Sequence, residues 1–97
     1  MRVEDPISVF GYLNQHPGLL PALYWAIFAS QRAFRGCEAV LSLYRDPEDE
    51  SDVYLRLRFR VGRELFSDVL SRLEEIESLY LPFLEKTTGW LQIDVEG

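Results

Sequence analysis

Two stretches of strict alternation, "EAVLSLYR" (38–45) and "DVYLRLRFRV" (52–61), constrain this chain more than any other feature. In the second, Val53, Leu55, Leu57, Phe59 and Val61 alternate with Tyr54, Arg56, Arg58 and Arg60. In the first, Ala39, Leu41 and Leu43 alternate with Glu38, Val40, Ser42 and Tyr44. A period of two is the signature of a strand with one buried face, because successive side chains point to opposite sides. The intervening "DPEDES" is a turn-forming polar loop, so the two runs read as a β-hairpin. Setting Tyr44 opposite Tyr54 places Leu43, Leu41 and Ala39 beside Leu55, Leu57 and Phe59 on one face. The same register sets Ser42 against Arg56, Val40 against Arg58 and Glu38 against Arg60 on the other.

The flanking segments read as helices and one more strand. Asp5-Pro6 is a helix start, an N-cap acceptor followed by proline at the first position. A short helix is predicted from Ile7 to about Gln15, with Val9, Phe10 and Leu13 on one side, ended by "HPG" (16–18). A second helix starts near Leu19, with Leu20, Leu23, Tyr24, Ile27, Gln31 and Phe34 at helical spacing and Gly36 as a left-handed cap. Trp25 and Phe28 widen its apolar arc. The longest helix is predicted over about 64–80, on a stripe of Leu65, Phe66, Val69, Leu70, Leu73, Ile76, Leu79 and Tyr80, and Pro82 ends or kinks it. Finally "WLQIDV" (90–95) alternates, with Leu91, Ile93 and Val95 inward.

These elements predict a single α+β domain over 1–97, with a helical part (1–36) and a hairpin-helix-strand part (37–97) in the order ααββαβ. The expected sheet is three-stranded, mixed or antiparallel, with the long helix on the Leu/Phe face and the N-terminal helices alongside. Val40, Tyr44, Tyr54 and Trp90 fall on the second face, which either the N-terminal helices or a partner would cover.

Composition narrows the functional classes. At 97 residues the chain can bury one core without disulfides or metals, and its 13% aromatic content makes that core from large side chains. The net charge of −6 argues against nucleic acid and acidic membranes as partners. The lone Cys37 fits a reducing compartment. The start "MRVEDPISVF" has acids where a signal peptide would be basic, and the most apolar run, 19–29, is too short to span a bilayer. A cytoplasmic location is the expectation.

Arg56, Arg58 and Arg60 are the main functional lead. Alternate strand positions lie about 7 Å apart, where like charges repel by roughly 0.6 kcal/mol in bulk water, so the row favours nearby anions. Glu38, Asp94 and Glu96 are the internal anions within reach of a sheet in this register. The alternative is a binding face for an acidic protein segment or for RNA, with Tyr54 and Trp90 as stacking surfaces. The acidic "DPEDESD" (46–52) fails as a calcium loop, since the glycine and glutamate such loops require fall on Ser51 and Leu57. His16 is the only histidine, and no base-orienter pair is nominated around it. The chain has no glycine-rich phosphate loop, no metal-spaced Cys/His set and no nucleophile elbow, so no cofactor, metal or catalytic residue is expected.

The run "AFRGCEAVLSLYRDPEDESDVYLRLRFRV", the acidic helix and "GWLQIDVEG" together resemble small uncharacterised bacterial proteins built of a helix, a hairpin with a D-P-E loop, an amphipathic helix and a terminal strand. The resemblance covers roughly the last two-thirds of the chain and implies a fold but no site. The expected function is therefore a non-enzymatic protein-interaction or regulatory module, acting as a homodimer or with a partner protein. The interaction face expected from the sequence is Arg56, Arg58, Arg60, Tyr44, Tyr54 and Trp90.

Overall fold

In the computed structural model, which describes residues 1–62 and 68–96, the hairpin is the centre of a four-stranded mixed sheet. Its strands are β1 (Arg2–Val3), β2 (Glu38–Arg45), β3 (Val53–Arg60) and β4 (Leu91–Glu96), in the spatial order β1-β2-β3-β4. The helices are α1 (Pro6–Gln15), α2 (Leu19–Ala33) and α3 (Val69–Leu84). The α+β class agrees with the sequence, but the expected three-stranded sheet does not. β1 adds a fourth strand parallel to β2, through Arg2 opposite Val40 and Val3 opposite Leu41, and the element order becomes βααββαβ. Two residues cannot display a period, so nothing in the sequence marks β1 as a strand.

The hairpin register is the predicted one throughout, with Tyr44 opposite Tyr54, Ser42 opposite Arg56, Val40 opposite Arg58 and Glu38 opposite Arg60. β4 lies parallel to β3, which sets Arg58 opposite Asp94 and Arg60 opposite Glu96. On the other side of the sheet Ala39, Leu41, Leu55, Leu57, Phe59, Leu91 and Ile93 are buried in one continuous core. Val9, Tyr12 and Leu13 of α1, the Ala-rich side of α2, and Val69, Ile76, Tyr80 and Leu84 of α3 complete that core. All three helices thus stand on the Leu/Phe face. The N-terminal helices do not reach the second face, which no helix among the described residues covers.

α1 begins at Pro6 as expected, but Asp5 does not cap it. Asp5 sits in the left-handed region (φ 47°) without a side-chain bond to the helix backbone, and its carboxylate instead accepts the Ser8 hydroxyl at 2.6 Å. Phe10 is exposed and Tyr12 takes the core position. The Tyr12 hydroxyl accepts the Trp90 N–H (3.0 Å) and donates to the Val53 carbonyl (3.1 Å), bridging β3 and β4 where their ladder begins.

α2 reverses the usual allocation of side chains. Its buried residues are Leu19, Ala22, Leu23, Ala26, Ala29 and Ser30, while Leu20, Tyr24, Trp25 and Phe28 face outward. Small residues at helical spacing let backbones approach closely, and large ones on the inner side would hold α2 off its neighbour. α3 packs beside it, and Arg72 donates to the Ala33 carbonyl, one of the free carbonyls at the end of α2. α3 continues past Pro82 to Leu84. The predicted start of this helix, including Leu65 and Phe66, falls outside the described residues. Leu70 and Leu79, expected in its buried stripe, are exposed. Among the described residues no helix is long and apolar enough to cross a membrane.

Tyr80, only 2% exposed, is buried in the core with its phenol near the Ile93 backbone of β4. Burial, reinforced by the Glu77 carboxylate, pushes its phenol from 10.0 up to about 12. An ionised tyrosine is thus tolerated in the unfolded chain at lower pH than in the core. The contribution of the neutral phenol is complete below pH 10 and is lost as pH rises to about 12. Urea denaturation between pH 9 and pH 12 should show a steeper alkaline loss of stability for the native chain than for Tyr80→Phe. Coincident profiles would show that Tyr80 is not buried in this way.

Candidate functional site

The six residues singled out from the sequence do come together. Arg56, Arg58, Arg60, Tyr44, Tyr54 and Trp90 share the uncovered sheet face, because each occupies a position opposite in parity to the buried Leu/Phe row. Tyr44 and Tyr54 lie side by side with ring centroids 4.9 Å apart, and the Arg56 guanidinium stands 5.2 Å from the Tyr44 centroid in a cation–π contact. The Trp90 indole N–H donates to Gln92 Oε1 at 3.3 Å. The Tyr54 phenol is raised above its ordinary value, first by burial and then by the Asp94 carboxylate.

The acids expected to neutralise the arginines are in place but hold only one of them directly. Asp94 Oδ2 lies 3.8 Å from Arg56 Nε, which is buried and makes no hydrogen bond among the described residues. Glu38 and Glu96 flank Arg60 on the two neighbouring strands, and Asp94 neighbours Arg58. Among the described residues, neither Arg58 nor Arg60 has a carboxylate within 4.0 Å. Sequence reasoning missed Arg2, which β1 brings to the same face. Arg2 pairs with Glu4 at 3.1 Å and joins Arg58, Arg60, Glu38, Glu96 and Val40 around a cleft of about 160 Å³. Val40 is buried yet lies outside the core cluster, with Arg2 and Arg58 opposite it on the two neighbouring strands. By register the face holds Arg2, Arg56, Arg58 and Arg60 against Glu4, Glu38, Asp94 and Glu96, a balance of charge.

A larger groove, about 540 Å³, runs between α1 and the loop end of the hairpin. Ser8, Gly11, Tyr12, Gln15 and His16 form one side, and Leu43, Arg45, Ser51 and Val53 the other. His16 Nδ1 is 2.7 Å from the Thr88 hydroxyl, and its ring packs 4.6 Å from that of Tyr12. Gly89 sits beneath it with φ +82°, where a Cβ would meet the imidazole at 2.9 Å. Among the described residues no carboxylate lines this groove to orient an imidazole as a base. Among the described residues no three His, Cys, Asp or Glu side chains are grouped to hold a metal ion.

The outer side of the helical layer is apolar. Leu20 (54% exposed), Tyr24 (63%) and Phe28 (44%) form a stripe at intervals of four along α2, with Trp25 beside it. Tyr24 and Phe28 are stacked, with ring planes 7° apart, and Trp25 meets both edge-on. Across a cleft of about 290 Å³ stands Leu79 of α3, and Arg32 and Glu75 mark the rim. The signal that would have found this surface is the spacing of Ala22, Ala26 and Ala29, which marks the close-packing side and leaves the aromatics outside.

The Arg56–Asp94 pair is long and half solvated, with side chains 26% and 41% exposed, so solvent screening leaves it little energy. A double-mutant cycle of Arg56→Gln and Asp94→Asn, followed by urea unfolding, should give a coupling below about 1 kcal/mol. A coupling of roughly 2 kcal/mol or more would show a tight, desolvated pair instead.

Comparison with family models, curated proteins and solved structures finds no match to this chain, so the resemblance to small bacterial proteins rests on the sequence pattern alone.

Proposed function

We propose that this protein is a non-enzymatic protein-interaction module that works as a homodimer, joined through the aromatic side of α2 and the α2–α3 cleft. The observation that carries this reading is the outward aromatic stripe. Leu20, Tyr24, Trp25, Phe28 and Leu79 expose roughly 500 Å² of apolar surface, at about 200 Å² per fully exposed large side chain. That lies within the range of about 300–600 Å² for the largest apolar patch of a monomer, patches that are often functional, and leaving it in water carries a hydrophobic cost. A two-fold contact needs a surface complementary to itself. This one supplies an apolar centre with one cation, Arg32, and one acid, Glu75, on its rim. Each copy's arginine can then meet the other's glutamate.

The arginine face supports nucleic-acid binding less well. Its four arginines share the surface with four acids, in a chain whose net charge of −6 repels phosphate backbones. The single cysteine supports placing the module in the reducing cytoplasm.

Sedimentation velocity on the native chain at high micromolar concentration should show a dimer, and a Tyr24→Glu/Phe28→Glu variant a monomer with unchanged circular dichroism. Both substitutions lie on exposed positions, so the fold should tolerate them. A native chain that stays strictly monomeric at that concentration would remove self-association.

A further inference from the structure

β2 is covered on its outer side over only half its length. β1 pairs with Val40 and Leu41, the Glu4 N–H donates to the Leu41 carbonyl (2.9 Å), and the chain then turns away at Asp5. β2 continues to Arg45, and among the described residues no strand lies beside it there on this outer side. The ladder shows which backbone groups face the gap. Asp46 donates toward β3, to the Asp52 carbonyl (3.1 Å), whereas Leu41 faces β1. Alternation therefore points the N–H and C=O groups of Leu43 and Arg45 to the open side. Among the described residues they have no protein partner there.

Two further features meet this open edge. The groove of about 540 Å³ has Leu43 and Arg45 on one side, and on the other α1 offers Ser8, Gly11 and Gln15. At Gly11 no atom stands within 4 Å of where a Cβ would lie, so the groove is open along that wall. Immediately after Arg45 come Asp46, Glu48, Asp49, Glu50 and Asp52. Two of these acids order the loop. Asp46 accepts the Glu48 N–H (2.8 Å), and Asp49 accepts both the Ser51 hydroxyl (2.6 Å) and its N–H (3.0 Å).

We propose that the Leu43–Arg45 edge receives an extended basic segment of a partner protein as an added strand, with side chains entering the groove beside α1 and cations meeting the acids of residues 46–52. Main-chain hydrogen bonds supply the affinity in such strand addition, and pockets for alternate side chains supply the specificity. Charge selects the occupant: five carboxylates follow directly after the edge, within residues 46–52, against the cation Arg45 on it. A second copy of this chain, at net charge −6 and carrying the same acidic loop, is disfavoured here. The site is separate from the aromatic side of α2 and does not depend on self-association.

The test uses the full chain and a short fluorescein-labelled peptide of alternating valine and threonine flanked by lysines. Saturable binding is expected, with the largest amide chemical-shift changes at Leu43 and Arg45, and at least tenfold weaker binding of the glutamate-flanked counterpart. Arg45→Pro removes an N–H that the fold leaves free, a change edge strands tolerate, and should weaken binding at least tenfold. Arg45→Gln keeps that N–H and should bind as the native chain does or more tightly. Gly11→Leu fills the groove from α1 and should also weaken binding, which keeps the test decisive if the proline variant is unstable. Absence of saturable binding, equal binding of the glutamate-flanked peptide, or shifts confined to the arginine face or the aromatic side of α2 would overturn the proposal.

Discussion

Everything in this molecule is arranged around the two-sidedness of β3. Leu55, Leu57 and Phe59 are essentially inaccessible to solvent, while Arg56, Arg58 and Arg60 between them are not. A central strand of this kind admits helices on one side only, because no helix face could supply enough anions and hydrogen bonds to bury three guanidinium groups cheaply. All of the helical mass is therefore committed to the other side. Each of the buried leucines contributes about 1.5–3 kcal/mol of transfer free energy, enough to fix the register of both neighbouring strands.

That commitment shapes the helical layer. Three helices share one face of a short sheet, so α2 must lie close against its neighbour. The small residues on its inner side permit that approach and force the aromatics outward. The uncovered sheet face and the outward aromatics are thus two consequences of one constraint, and they differ in chemistry. The sheet face sets acids of β2 and β4 opposite its arginines, and among the described residues Arg56 alone of the three on β3 has a carboxylate within 4.0 Å. The aromatic side of α2 is exposed among the described residues.

How much of this was legible depended on the kind of signal. The hairpin and its register could be read because eight-residue runs with a period of two admit one natural alignment, fixed by Tyr44 and Tyr54. The alternation of 90–95 sets Asp94 apart from the inward Leu91, Ile93 and Val95, but it does not say which strand β4 lies beside; the structure pairs it with β3, which brings Asp94 and Glu96 beside the arginines. β1 was invisible, since Arg2 and Val3 are too few to show periodicity and the adjacent Asp-Pro directs attention to α1. The direction of α2 was misread for a different reason. A helix apolar on every side carries no hydrophobic stripe, and its orientation is decided by size, a property that polarity patterns do not record. Spacing alone puts Leu20 and Tyr24 in the core, whereas packing against α3 puts Ala22, Ala26 and Ala29 there instead. The open half of β2 was hidden because it exists only by contrast with a strand the sequence does not announce.

The most direct measurement on the one-sided sheet compares two adjacent truncations, Leu57→Ala and Arg58→Ala, by urea unfolding. Leu57 is wholly buried, so its truncation should cost about 2–5 kcal/mol. Arg58 lies on the uncovered face without an ion pair within 4.0 Å among the described residues, so its truncation should cost no more than about 1 kcal/mol, from lost stem packing. Equal losses, or a larger loss at Arg58, would mean that the arginine face is covered and would contradict the arrangement of helices described above.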